Sequence, residues 1–512
     1  MGFISKNYKK IRNSIKRFIF LRAQLSLPLL DKQNREIIES MHQFSFDFHV
    51  EINQKITVSL PRKYHYELNE GLPQSSWYLL CRNTEAYIGY GSSVYSHENG
   101  LIEGVWDGDF DGLGYADAEH VFGSGISWNS ERITFTPPSY LLEGIFFLFD
   151  KNTQYYAVSN SFACLLSFLG EKIDLKTILD TVDANTSGRL KKGVFNSNPI
   201  LFEDENVVIL LFCYHNFVIN GSGLSMEPRL HSNRFICFDD YRNYVKGKVA
   251  SLLKNGCSKG RRNTPKYTPI ATISSGYDST ASAAVLHDLN VKDALTIDVE
   301  VYERSDSGKI AANALDMDCI PCQHPFGAGI ANLNLQENIY EKNLDKISIF
   351  LATFGMGDDS SWLAFDPYIT HRIVFTGHGG DEIWYQDEFI GNGLRKITCF
   401  ELSLGEYRLQ KGFARVAIPY LGTTFTNYIY RLNFLKEMKP YRLNNEYDRP
   451  IPRRFAEDAG VPRECFAQVK RATNPNLIGF QKYKLQGMRK HIAQYKEVIE
   501  ISFTSRRNEK ST

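Results

Sequence analysis

The sequence predicts a mixed α/β protein in two parts: a mostly β region, followed by a doubly wound, largely parallel sheet. Beyond about residue 236, short apolar runs (270–273, 294–301 and 371–375) alternate with helix-compatible stretches, and strand–helix–strand repetition gives parallel pairing. Two of these runs open directly into loops rich in glycine and serine, where ligands of such sheets bind. Residues 35–235 carry instead short alternating stretches (78–81, 144–149, 155–158 and 207–213), turn clusters and many aromatics, the pattern of antiparallel strands.

The first loop is Ser274-Ser275-Gly276-Tyr277-Asp278-Ser279-Thr280, between the run 270–273 and a helix expected to begin near Thr280. A small-residue loop at a helix N-terminus cradles an anion, because unpaired backbone N–H groups and the helix dipole point at it. The hydroxyls of Ser274, Ser275, Ser279 and Thr280 add donors. The charge of Asp278 beside a phosphate makes sense when a divalent cation bridges the two. The Gly-Lys-Ser/Thr ending of the Walker loop is missing. A plain serine–glycine turn fits this loop equally well on its own.

The second loop follows the run 371–375 and reads Thr376-Gly377-His378-Gly379-Gly380-Asp381-Glu382. Three glycines around a histidine let the backbone turn sharply and approach a ligand closely. Two acids follow at once.

Together the loops resemble two segments of the asparagine synthetase family, which includes β-lactam synthetases and lasso-peptide cyclases. The first is similar to the Ser-Gly-Gly-x-Asp-Ser pyrophosphate loop of ATP pyrophosphatases, with Ser275 in place of the first glycine. The second is similar to Ser-Gly-x-Gly-x-Asp-Glu, but Ile383-Trp384-Tyr385 stands where the family continues Gly-Gly. The resemblance, which extends over roughly 239–473, implies an adenine nucleotide alpha hydrolase-like synthetase domain over 236–512. It implies an ATP site built from Ser274, Ser275, Gly276, Asp278, Ser279, Thr280, Gly377 and Gly379, with Mg²⁺ held by Asp278 and Asp381. It sets His378 where the family reaches the attacking amine, and an imidazole is suited to take the amine's proton near neutral pH. Lys470, in Val461-Pro-Arg-Glu-Cys-Phe-Ala-Gln-Val-Lys470-Arg471, matches the lysine over the reaction centre. Asp358-Asp359-Ser360-Ser361 matches a polar segment facing the acyl substrate, or reads as a helix start with acids in its first turn.

Gly144-Ile-Phe-Phe-Leu-Phe-Asp150 and the residues to Ser159 resemble a hairpin of the same family's glutaminase domain. That domain's chemistry needs a cysteine at the processed N-terminus. Here position 2 is glycine and the first cysteine is Cys81, so residues 35–235 are expected to form a degenerate glutaminase-like domain that makes no ammonia. Ser305-Asp306 is expected to cap the helix that carries Ile310 and Leu315. The basic loop 254–266 is expected to be solvated, and the lone Cys319-Ile-Pro-Cys322 to be structural.

Composition fits an ordinary enzyme. The chain has 512 residues, 43% apolar and 23% charged, enough core for two or three domains. A formal net charge of +1 argues against a general nucleic-acid binder. Nine cysteines without a disulfide framework suggest a reducing cytoplasm. The leader, 1–34, stands apart: Lys6, Lys9, Lys10, Arg12, Lys16, Arg17 and Arg22 are basic, and Ile4, Tyr8, Ile11, Ile15 and Ile19 share a helical face. Residues 3–22 suit peripheral docking on an anionic membrane or a partner protein; a helix packed on its own domain fits the pattern too. The apolar core 18–21 is too short for a signal peptide, and Lys6 breaks the myristoylation pattern.

The expected activity is therefore an ATP-dependent ligase of natural-product or glycan biosynthesis. It would adenylate a small-molecule or peptide carboxylate, release pyrophosphate, and pass the acyl group to an amine. A catalytically weakened descendant that binds nucleotide or a partner is the alternative. A tRNA- or sulfur-modifying pyrophosphatase is disfavoured by the second loop, the neutral charge and the large amino-terminal region.

Overall fold

The computed structural model describes residues 25–169, 174–231, 233–298, 300–301, 304–326, 333–353, 355, 357–385, 392–396, 401–445, 447–468 and 481–509. The stretch 3–22 and Lys470 lie outside them. The described chain opens on the helix Leu27–Lys55, which buries Leu30, Met41, Phe48 and Ile52 along one face. The boundary expected between 34 and 35 falls inside this helix.

Two sheets follow. One has seven strands in the order Lys63–Leu68, Glu85–Tyr90, Trp77–Arg82, Tyr156–Ser159, Ile145–Asp150, Val207–Phe212, Ile200–Glu203, antiparallel except at its first pair. The other has six antiparallel strands in the order Gly223–Glu227, Asn216–Asn220, Arg132–Thr136, Val121–Trp128, Gly100–Trp106, Tyr95–His97. Their inner faces meet through aromatics: Phe212 of the first sheet stacks on Phe217 of the second at 4.1 Å between ring centroids. The hairpin expected from Gly144 onward is present, with Phe146 opposite Ser159. Its turn is fixed by the Asp150 carboxylate, which accepts from the backbone amides of Asn152 and Thr153.

The carboxy-terminal part is built on five parallel strands in the spatial order Asp318–Gln323, Asp293–Asp298, Thr268–Thr272, Arg372–Thr376, Ala414–Ala417. Counted along the chain this order is 3-2-1-4-5, so the winding reverses between Thr268–Thr272 and Arg372–Thr376. Side chains alternate between two cores, as period-two geometry requires. Ile270, Leu295 and Val374 pack with Phe350, Trp362 and Tyr407, whereas Ala271, Ala294, Ile373 and Phe375 join a core continuous with the amino-terminal sheets. No helix among the described residues is long and apolar enough to cross a membrane.

Three expectations change. The helix after the first loop spans Tyr277–His287, so Asp278 and Ser279 lie in its first turn rather than ahead of it. The next helix spans Lys309–Ala314 and starts at Gly308, not at Ser305-Asp306. Arg261, in the loop expected to be solvated, is buried: it donates to the Gly104 carbonyl at 2.7 Å and stacks over Phe110 and Tyr267. Gly104 and Phe110 lie too far away in sequence for the basic run to have announced them, although Tyr267 follows the run directly.

The two parts are joined by a fully buried charge cluster. Arg408 donates to Glu103 from Nη1 and Nη2 at 2.7 and 3.0 Å, and to Glu143 from Nε at 2.5 Å. Nearby, the buried Glu406 carboxylate accepts from Ser161 Oγ at 2.7 Å and from Tyr495 of the last helix, Gln481–Glu509, at 3.2 Å. Removing one partner of a buried cluster leaves uncompensated charge, which costs about 3–5 kcal/mol. Arg408→Met should therefore lower the free energy of unfolding by about that amount in urea titrations; a loss below about 1 kcal/mol would show the cluster to be dispensable.

Candidate functional site

Both glycine-rich loops leave the carboxyl ends of adjacent strands, Thr268–Thr272 and Arg372–Thr376, on either side of the point where the winding reverses. Open α/β sheets bind ligands in the crevice at that point.

The first loop is tightly tied. Ser279 Oγ accepts from the Ser274 amide at 3.0 Å and pairs with Ser274 Oγ at 2.8 Å, while Ser274 Oγ accepts from the Gly276 amide at 3.2 Å. Thr280 turns inward: it is fully buried and its Oγ1 donates to the Ser274 carbonyl. The amides of Tyr277, Asp278 and Ser279, at the helix start, have no backbone acceptor among the described residues, which leaves the donors an anion needs. Ser275 is bound from outside: its amide donates to the Asp306 carbonyl at 3.0 Å, and its Oγ to Asp306 Oδ1 at 2.6 Å.

The second loop lies directly on the first. A Cβ added at Gly377 would fall 2.4 Å from the Asp278 carbonyl carbon, and one at Gly380 would fall 2.6 Å from Asp278 Cβ. Contacts this close exclude any side chain. Gly276 differs, since a Cβ there meets nothing nearer than Ser274 Oγ at 3.4 Å.

Asp278 is the electrostatic centre. Its Oδ2 accepts from Arg449 Nη1 at 2.8 Å, while its Oδ1 is buried without a partner. Burial pushes its carboxyl up to about 6; Arg449 pulls it down, and the charges of Asp381 and Glu401 push it further up. Asp381 is exposed, whereas its neighbour Glu382 is buried 3.7 Å from Lys396. The two consecutive acids thus face opposite ways. No cluster of three or more His, Cys, Asp or Glu side chains is placed to hold a metal among the described residues. An unpartnered buried oxygen with a second carboxylate nearby does fit a cation bound by two protein ligands, phosphate and water.

His378 accepts at Nδ1 from Arg415, at 3.2 Å from Nε and 2.5 Å from Nη2. Burial, then the charges of Arg415 and Lys396, hold its pKa well below the ordinary histidine value. Lys396 is itself buried beside Glu401 at 3.0 Å. The Asp358 and Asp359 carboxylates are fully buried and accept from the amides of Glu401 and Ser403 at 2.7 and 2.9 Å. They begin a 3₁₀ helix, Asp358–Phe365, but bind a neighbouring segment rather than face a cleft. Although Lys470 lies outside the described residues, the segment leading to it reaches the site: the Ala467 amide donates to the Ser275 carbonyl at 2.7 Å.

Sequence reasoning missed Arg449, Arg415, Lys396 and Asp306. Arg449, Arg415 and Asp306 are single charged residues at least 31 positions from their partners, and Lys396, although only five residues from Glu401, stands in no motif, in a chain where such residues are common. No family model matches the chain, and no curated protein matches it.

The loop contact has a direct test. Gly380→Ala forces overpacking against Asp278, which costs about 1–3 kcal/mol, whereas Gly276→Ala should leave stability within about 0.5 kcal/mol. Thermal unfolding of both variants reads the contrast, and equal midpoints would remove the close packing of the loops.

Proposed function

We propose that this chain is an ATP-dependent, AMP-forming ligase that joins a carboxylate to an amine. The observation that carries the reading is the meeting of the two glycine-rich loops, Gly380 against Asp278, at the reversal of a parallel sheet. The resemblance of both loops to one enzyme family supplies the chemistry.

Carboxylate is a poor electrophile, so it must first be activated. A substrate carboxylate oxygen attacks the α-phosphorus of ATP, the bond to pyrophosphate breaks, and an acyl-adenylate forms. The amine nitrogen then attacks the acyl carbon and AMP leaves. The first-turn amides of the helix Tyr277–His287 would bind polyphosphate oxygens. Asp278 Oδ1 and Asp381 would hold Mg²⁺, which supplies counter-charge for the departing pyrophosphate. Arg449, next to Asp278, would add a permanent positive charge that owes nothing to pH. Ser275, bound to Asp306, would stiffen the loop.

One observation favours the weaker, purely binding descendant. Asp278 Oδ2 already pairs with Arg449, so a guanidinium holds part of the ground expected for a metal.

Two measurements decide between these readings. Incubation with ATP, Mg²⁺, hydroxylamine and a panel of amino acids, dicarboxylates and short peptides should yield AMP, pyrophosphate and a hydroxamate. ADP as the nucleotide product would overturn the reading. Asp278→Asn and Asp381→Asn should each slow pyrophosphate release at least about 100-fold, the scale of a lost transition-state contact. Turnover within a few-fold of the unaltered chain in either variant would remove that residue from the metal site.

A further inference from the structure

His378 is held in a way that fixes what it can offer a substrate. Its Nδ1 lone pair is taken by two N–H groups of Arg415. Arg415 is fully buried and also donates from Nη1 to the Glu401 carbonyl at 3.0 Å, so the guanidinium is anchored on both sides. Trp362 lies against the imidazole at 5.7 Å between ring centroids and limits its rotation. Nε2 has no hydrogen-bond partner among the described residues, and the side chain is only partly buried.

A guanidinium stays charged and presents only donors. Moving the ring proton to Nδ1 would set N–H against N–H in a buried site. Protonating both nitrogens would add a cation beside Arg415 and Lys396. The neutral ring with its proton on Nε2 is the form that satisfies every neighbour. In that form the open nitrogen donates and has no lone pair to take a proton.

We propose that Arg415 is a positioning residue that locks His378 as a hydrogen-bond donor, and that Nε2–H serves the acyl oxygen of the substrate rather than the proton of the amine. The proposal rests on the ligase reading and deepens it. As the amine nitrogen bonds to the acyl carbon, negative charge gathers on the acyl oxygen, and a preset donor stabilises it at that moment. The C–O bond to AMP then breaks, and the amine's proton passes to the leaving phosphate or to water. The accepting oxygen belongs to a carbonyl or carboxylate group, the chemistry common to every candidate acyl substrate.

The test begins with the full chain labelled with ¹⁵N in its histidine rings and observed by long-range ¹H–¹⁵N correlation. The signals missing from His378→Gln identify the ring. The expected pattern is a neutral Nε2–H ring unchanged between pH 5 and 8. An Nδ1–H pattern, or titration near the free-histidine value of about 6.5, overturns the proposal. In Arg415→Met the ring should become a mixture of tautomers; if that variant does not fold, the spectrum of the unaltered chain decides alone. The second arm uses hydroxylamine with whichever carboxylate of the panel turns over fastest. A glutamine amide can replace the Nε2–H donor but not a base, so His378→Gln should keep hydroxamate formation within about 10-fold, while His378→Ala loses about 100-fold or more. Equal losses in the two variants overturn the donor role. The ring spectrum needs no turnover, so a chain that ligates nothing but shows a locked ring would sink the ligase reading and leave the Arg415 lock standing.

Discussion

The Arg408 guanidinium, sunk between Glu103 and Glu143, is the interaction on which the placement of everything else depends. All three side chains are nearly inaccessible, at 3%, 0% and 6% exposed. Buried ions are tolerated only where geometry is good and remaining hydrogen-bonding capacity is used. Here both hold: Glu103 also accepts from Ser124 Oγ at 2.9 Å, and Glu143 from Tyr140 at 3.0 Å. Glu103 comes from the strand Gly100–Trp106, Glu143 from the segment just before the strand Ile145–Asp150, and the arginine from the helix Gly405–Lys411. Sliding one part past the other would strand a charge, so the cluster sets their register. The helix leads, across Gly412 and Phe413, into the strand Ala414–Ala417, which carries Arg415 to His378. The orientation of a side chain at the candidate site therefore traces back, through the eight residues from Arg408 to Arg415, to the seam between the two parts.

What was legible in the sequence was whatever is local. The three apolar runs fall on three of the five parallel strands, Thr268–Thr272, Asp293–Asp298 and Arg372–Thr376, with ends within three residues, because period and turn residues act over short distances; the edge strand Ala414–Ala417 was not foreseen. Both glycine-rich loops were legible for the same reason, and the structure brings them side by side. The errors also have physical causes. Ser305-Asp306 reads as a helix cap, yet the Asp306 carboxylate finds a better donor in Ser275 Oγ, thirty-one residues away in sequence. Arg261 reads as a solvated loop cation, yet the Phe110 ring and the Gly104 carbonyl from elsewhere, with Tyr267 nearby, bury it. Asp358 and Asp359 read equally as a cleft-facing segment or a helix start. Their buried partners around 401–403 could not be deduced from local sequence.

The candidate site is arranged as a ring of fixed charges with its ionisable groups held away from their ordinary states. Burial raises the carboxyls of Asp278, Asp358 and Asp359, and pushes His378 the other way. Arg415, Lys396 and Arg449 stand among them. An arginine keeps its charge at any physiological pH, so Arg415 and Arg449 hold fixed positive charge here without relying on a titrating group. Asp278 has one oxygen paired with Arg449 and one buried without a partner among the described residues. That asymmetry suits a group shared between a permanent cation and one that arrives with its ligand.

The departures from the family pattern can be weighed on the same footing, since a change that disables a site leaves a gap or a clash. Ser275, in place of glycine, does neither. Its side chain points away from the first-turn amides and is taken up by Asp306. Trp384, where glycine would follow Glu382, is fully buried, with Nε1 donating to Tyr241 at 3.0 Å and its ring near Phe455. It packs the second loop against the helix Phe238–Gly256, which carries Tyr241. Both substitutions add contacts beneath the loops while sparing Asp278, Asp381 and the amides between them. Tyr385, the third residue of the second departure, lies against the Arg449 guanidinium at 5.8 Å from its ring centroid, so the Arg449–Asp278 pair, the feature that works against metal binding, is itself contacted by the altered segment.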